Sequence, residues 1–153
     1  MRTFLCGFEG IFLGVPSECV AEIIQVSGDM HAMIEGKPHK GQVFFSLPRF
    51  FCRADLPTPH GIRLKPLAYP EALVKVLGTY TGTEAPGVVL VTPPVETEVD
   101  IPPEAIQQLP DFLRLPGSLP FLRGVSFTGA TMTAFIDPVL LISRILGSEA
   151  HGD

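Results

Sequence analysis

Apolar and polar positions alternate along much of this chain with a period of two, the periodicity of a β-strand whose side chains point to opposite faces. Phe4, Cys6 and Phe8 alternate with Leu5 and Gly7, and Ile11, Leu13 and Val15 alternate with Phe12 and Gly14. Glu9-Gly10 lies between the two runs and supplies turn residues, so a first hairpin is expected there. Pro16 to Ile24 instead carries Val20, Ile23 and Ile24 at helical spacing, with Pro16 suited to the first helical position, and predicts a helical turn. Gln42 to Leu47 returns to a strand pattern, ended by Pro48 ahead of Phe50 and Phe51. Further strands are expected at Ala72 to Leu77 and Val88 to Thr92, joined by a turn rich in Gly, Thr and Pro. From Val95 to Ile101, Val95, Thr97, Val99 and Ile101 share one face while Glu96, Glu98 and Asp100 occupy the other, as in a strand with one face in water. Those acids read as a solvated face, because catalytic carboxylates must converge in a pocket. Phe121 to Phe127 and Met132 to Ile136 form a last hairpin around Thr128-Gly129-Ala130-Thr131. Asp137-Pro138 follows, then Val139, Ile142, Ile145 and Leu146 at helical spacing and a closing Gly147, the pattern of a short capped helix.

With 16 prolines and 15 glycines in 153 residues, long helices have little room. Many short strands without crossover helices point to an all-β fold of small barrels or a sandwich. Pro57, Pro59, Pro66 and Pro70 make the stretch from Cys52 to Pro70 extended or irregular, a link between two lobes. The expected organisation is one domain over 1–147, with lobe 1 mainly 1–56, a connector at 57–71, lobe 2 mainly 72–147, and ends open to exchange between lobes. Residues 148–153 form a flexible tail. Val43, Phe45, Val99, Val125, Phe127 and Ile136 occupy apolar positions of alternating strands and are expected in the core.

The composition narrows the functional classes. A chain this long buries roughly 70% of its unfolded surface without a disulfide or metal staple. It is 46% apolar but only 18% charged, with 11 Phe, so it is a folded chain with apolar residues for a large core or an exposed contact surface. The formal charge of −5 and the scattered basic residues exclude general affinity for nucleic acid or anionic membrane. No stretch reaches the roughly 18 to 20 apolar residues of a membrane span, and Glu9-Gly10 splits the apolar start, which otherwise resembles a signal peptide. Cys6, Cys19 and Cys52 are odd in number and lack C-x-x-C spacing, which suits reduced thiols in the cytoplasm.

Candidate chemistry is sparse. Neither G-x-G-x-x-G nor a P-loop occurs, and His31, His39, His60 and His151 show none of the close spacings that bring two ligands onto one metal. No cofactor or metal is therefore expected. The best nucleophile set is Cys19 or Cys52 with His39 and Asp55, which has no local catalytic signature.

TFLCGFEGIFLGVPSECVAEII, AMIEG, KGQV, FSL, IPPEAIQQLP, FLRGVSF and AFIDPVLLI, in that order along most of the chain, resemble the segments of the CheW family of bacterial chemotaxis coupling proteins. TFLCGFEGIFLGVPSECVAEII looks like the family's first hairpin and following turn, with Glu22 two residues beyond Val20. AMIEG, Ala32 to Gly36, resembles the lead into the family's R-G motif. Lys40-Gly41-Gln42-Val43 resembles its R-G-x-V strand start, and Phe45-Ser46-Leu47 its V-x-D-L continuation, with Lys40 for the Arg and Ser46 for the Asp. IPPEAIQQLP, FLRGVSF and AFIDPVLLI resemble the distal strands and the closing L-D-x-x-x-L-L element. The resemblance implies two intertwined SH3-like five-stranded β-barrels and a short C-terminal helix. It also implies a cytoplasmic, non-enzymatic adaptor that bridges a CheA-type histidine kinase and chemoreceptor tips. Carried over residue by residue, Val20 and Glu22 belong to a receptor-facing patch, and Lys40 with Gly41 to the groove between barrels. The alternatives are a related module serving a different kinase or assembly, and a cysteine-dependent enzyme.

Overall fold

The computed structural model describes residues 1–8, 11–25, 41–47, 59–78, 87–109, 122–128 and 131–143. The fold is all-β. A first hairpin, β1 (Arg2–Phe8) and β2 (Ile11–Pro16), leads through a short 3-10 turn to β3 (Val20–Gln25). Then come β4 (Gln42–Ser46), β5 (His60–Leu64), helix α1 (Glu71–Gly78), β6 (Gly87–Thr92) and β7 (Val95–Asp100). The closing hairpin of β8 (Leu122–Thr128) and β9 (Thr131–Ile136) is followed by a second helix, α2, over 138–143.

These strands make two sheets, of order β7-β1-β2-β9-β8 and β3-β5-β6-β4. Each contains one parallel pair, β2 with β9 and β4 with β6, and is otherwise antiparallel. The first sheet is thus built from both ends of the chain and the second from its middle. A 3-10 turn at Pro103–Ala105 carries the chain from β7, at one edge of the first sheet, to Gln107 beyond the other. There Gln107 and Val125 exchange backbone hydrogen bonds of 2.7 and 3.0 Å. Seven residues, three of them in a 3-10 turn that rises only about 2 Å per residue, reach about 20 Å, short of the roughly 24 Å of five flat strand spacings, so the sheet curls.

Core rows cross each sheet along the strand registers. Cys6, Leu13, Ala134 and Val125 are aligned and buried in the first sheet. Phe45, Leu90 and Ile62 do the same in the second. Residues of both sheets, together with Leu73 and Leu77 of α1 and Leu141 and Ile142 of α2, join in a single apolar cluster. The glycine at 124 is required by packing, since a Cβ there would stand 2.7 Å from the Gln107 carbonyl oxygen.

Two polar devices tie strands together. Tyr69 donates its hydroxyl hydrogen to the Leu64 carbonyl (2.6 Å) and accepts from the Val88 amide (2.9 Å), joining the end of β5 to the start of β6. Glu98 of β7 receives Arg2 Nε of β1 (2.9 Å) and Ser17 Oγ (2.8 Å). These donors, Arg2 first, hold its carboxyl below the ordinary range. Of the three acids read as solvated, Glu96 and Asp100 are exposed, and Glu98 is half-buried as a fastener.

Four expectations need correction. Val20–Gln25 is a strand, and only Ser17–Cys19 before it is helical. The expected strand at 72–77 is helix α1, whose Leu73 and Leu77, four apart, face the core. The proline-rich connector contains β5, a central strand of the second sheet. Phe127 is 51% exposed. Its alternation is correct, aligned with Met132 on the same face as buried Val125, but that row lies at the end of the sheet, where the core runs out. Val99 is half-buried, whereas Val43, Phe45, Val125 and Ile136 are buried as expected.

At the C-terminal end, the Asp137 carboxylate accepts from the amides of Val139 and Leu140 at 3.1 Å each, the expected helix cap. Ile145, Leu146, Gly147 and the tail at 148–153 lie outside the described residues, as do Glu9-Gly10 and the Ala32 to Gly36 segment.

Candidate functional site

The strand β3 carries the first two candidate residues. Its register on β5 slips between Val20 and Glu22, so that Val20 faces Leu64, Glu22 faces Arg63 and Ile23 faces Ile62. The slip changes which face each residue meets. Val20 and Ile23, three apart, therefore both turn toward the core, and Glu22 turns away from it. Val20 is 8% exposed and part of the apolar cluster. Its side chain is packed inside and is not presented to solvent. Glu22 is exposed, and its Oε1 lies 2.9 Å from Arg63 Nε as a cross-strand ion pair.

Gly41 stands at the opposite edge of the same sheet. It has a φ of 80°, a left-handed conformation that suits glycine, and its carbonyl accepts from the Gly87 amide at 3.0 Å, opening the β4–β6 pair. Three strand spacings, roughly 14 Å, separate this edge from β3. The four-stranded sheet therefore holds Val20 with Glu22 on one side and Gly41 on the other, without bringing them into one patch. Lys40 lies outside the described residues.

Sequence reasoning missed Ile23 and Arg63 at this edge. Ile23 is 38% exposed although it lies in a core row, and Arg63 anchors Glu22. The signal for Arg63 was the short alternation of Gly61, Ile62, Arg63 and Leu64, set between prolines and read as irregular. Elsewhere, apolar side chains reach the surface at Leu67, Val74, Val139 and Leu140.

Cys6 and Cys19, the described thiols, are poorly suited to nucleophilic chemistry. Burial pushes Cys6 up to about 12. Cys19 is likewise raised, first by burial and then by the nearby Glu18 and Asp137 carboxylates. A reactive cysteine needs the opposite shift, because the thiolate is the nucleophile. Cys52, His39 and Asp55 lie outside the described residues. His60 is used structurally, its Nδ1 accepting from the Val95 amide at 2.9 Å. Among the described residues no group of three His, Cys, Asp or Glu side chains is placed to hold a metal ion, and no helix is long and apolar enough to cross a membrane.

The fold itself has a counterpart among solved structures, the scaffolding protein TtCheW from Thermoanaerobacter tengcongensis. The two superpose with a TM-score of 0.58 over 88% of this chain and 82% of that one, at 15% sequence identity. This chain has the CheW fold. No family model and no curated protein sequence matches it. The expected fold class, all-β with two small intertwined SH3-like five-stranded β-barrels and a short C-terminal helix, agrees with the two sheets and with this neighbour. The second sheet has four strands among the described residues.

Proposed function

We propose that the protein is a cytoplasmic, non-enzymatic adaptor that couples chemoreceptor tips to a CheA-type histidine kinase. The observation that carries this reading is the fold shared with a scaffolding protein along 88% of the chain. The raised thiols of Cys6 and Cys19 agree with it, since they lack the activation an enzyme nucleophile needs. In this reading β3 supplies one contact, with Glu22 as a rim charge and Val20 holding the strand in place. Gly41, at the far edge of the sheet, and Lys40, which precedes it in the sequence, supply a second contact. Lys40 replaces the Arg of the family motif, and a single ammonium lacks the planar fork that grips a carboxylate in two places. Fold alone does not establish a function, so the test is direct. Purified protein is incubated with a receptor cytoplasmic fragment and a CheA-type kinase from the same genome, then resolved by size-exclusion chromatography. A complex with both partners, weakened by a Glu22→Lys variant that still folds, is the expected result. Folded protein that elutes alone in the presence of both would refute the proposal.

A further inference from the structure

The outer edge of β3 combines two features that are unusual side by side. The core row Phe45, Leu90, Ile62 and Ile23 crosses all four strands of the second sheet by register, and its first three members are fully buried. Ile23, the last, is 38% exposed, so the row ends in water. On the other face, Glu22 begins a row that continues through Arg63, Val89 and Phe44. Its carboxylate lies within ion-pair distance of Arg63 Nε, which is buried and makes no aligned hydrogen bond to it, and is still half exposed. Among the described residues β5 is the only strand paired with β3, and Ala21, Glu22, Ile23 and Gln25 are all exposed.

Edge strands carry a row of unpaired backbone donors and acceptors and are usually blunted by charges, proline or bulges that discourage a second chain. The edge strand of the first sheet follows that rule, with Glu96, Glu98 and Asp100 at alternate positions of β7. β3 has no proline and one charge, already neutralised from within the sheet, and its bulge precedes Glu22.

We propose that β3 is a strand-docking site for an extended segment of a partner protein with alternating basic and apolar residues. Main-chain hydrogen bonds to β3 supply affinity, and alternate side chains supply specificity. An added strand places its residues about 5 Å from those of β3 on each face. An apolar residue beside Ile23 completes the core row. A Lys or Arg beside Glu22 meets a carboxylate whose ion-pair partner among the described residues lies on the opposite side, and the net charge of −5 favours a basic partner over an acidic one. A second copy of this chain fits poorly: pairing β3 with itself around Ile23 puts Glu22 beside Ile24 of the other copy and leaves the two Glu22 carboxylates diagonal neighbours. This inference concerns the edge and its chemistry, and does not depend on the chemotaxis reading.

The test uses the full chain, isotopically labelled for NMR, and two synthetic ten-residue peptides, one alternating Lys with Val and the other alternating Glu with Val. The Lys-Val peptide is expected to shift amides of β3 and β5 and to bind at least about tenfold more tightly than the Glu-Val peptide. Glu22→Gln should bring the two affinities together, and Ile23→Lys should weaken the Lys-Val peptide about tenfold. Melting temperature checks that each variant folds, and Ile23→Thr replaces Ile23→Lys if the charge disrupts the sheet. Absence of binding at millimolar peptide, equal affinity for both peptides, shifts confined to other elements, or concentration-dependent pairing of β3 with a second copy would each overturn the proposal.

Discussion

The Tyr69 hydroxyl offers the cleanest quantitative test of how the second sheet is held together. It bonds the Leu64 carbonyl at 2.6 Å and the Val88 amide at 2.9 Å, and Leu64 and Val88 are themselves buried. Tyr69→Phe removes one oxygen, leaves the ring in place, and strands both groups. The carbonyl has a second lone pair, so most of the penalty falls on the amide. An unsatisfied buried donor costs about 1–3 kcal/mol. Taking about 2 kcal/mol, and about 2–4 °C of melting temperature per kcal/mol for a chain of this size, the expected drop is about 4–8 °C. Burial of the hydroxyl also raises its pKa, which agrees with a phenol used in its neutral form. The assay is thermal unfolding by circular dichroism, with hydrogen exchange at the Val88 amide as a local readout. Tyr69→Phe should leave the strand signal unchanged below the transition and speed exchange at Val88. A drop of less than about 1 °C, with exchange at Val88 unaltered, would show that the hydroxyl is not what ties β5 to β6.

Three further outcomes follow from other parts of the fold. Gly124→Ala should destabilise by about 1–3 kcal/mol, the usual cost of overpacking, and expose 101–107 to limited proteolysis, because the new methyl collides with the Gln107 carbonyl. Phe45→Ala should cost about 3–5 kcal/mol as a fully buried ring, while Phe127→Ala, half in water, should cost roughly half as much in parallel urea titrations. Raising pH should weaken the fold between about 9 and about 12. Cys6 stays protonated in the folded chain up to about 12 while an unfolded thiol ionises near its ordinary value of 9.0, so the folded state binds more protons in that window and loses stability as pH rises through it. Urea midpoints for Cys6→Ala should decline less steeply with pH over that range than those of the unaltered chain.

The strands at β1, β2, β4, β6, β7, β8 and β9 were legible as apolar runs between turn residues, but the shared face expected of Val95, Thr97 and Val99 fails, because a register slip against Leu5 and Cys6 puts Val95 on the opposite face from Val99. The misreadings have physical causes. β3 mimicked a helix because its bulge lets Val20 and Ile23, three residues apart, share a face, which is the spacing a helical turn would produce. In α1, the valines at 74 and 76 favoured a strand reading, yet Leu73 and Leu77 are the pair that packs. β5 was hidden by flanking prolines that bound a strand as readily as they interrupt one. The ion pair at Glu22 was beyond sequence reasoning, since its partner is fixed by the register of a strand about forty residues away. Glu98 likewise looked like one acid in a solvated row, and only the β1–β7 alignment gives it Arg2.

The parallel pairing of β2 with β9 has a consequence for biosynthesis. Ile11 to Gly14 must wait for Met132 to Phe135, about 120 residues later, before the middle of the first sheet can form. At ribosomal speed that is on the order of ten seconds during which the first hairpin exists without its neighbour. For that interval β2 has an exposed edge of Ile11, Phe12 and Leu13, a template for association with other nascent chains. The second sheet can close sooner, since all its strands lie within residues 20–92. A chain that stalls before β9 emerges is therefore half a protein with a sticky seam, and the last hairpin acts as the seal on the first.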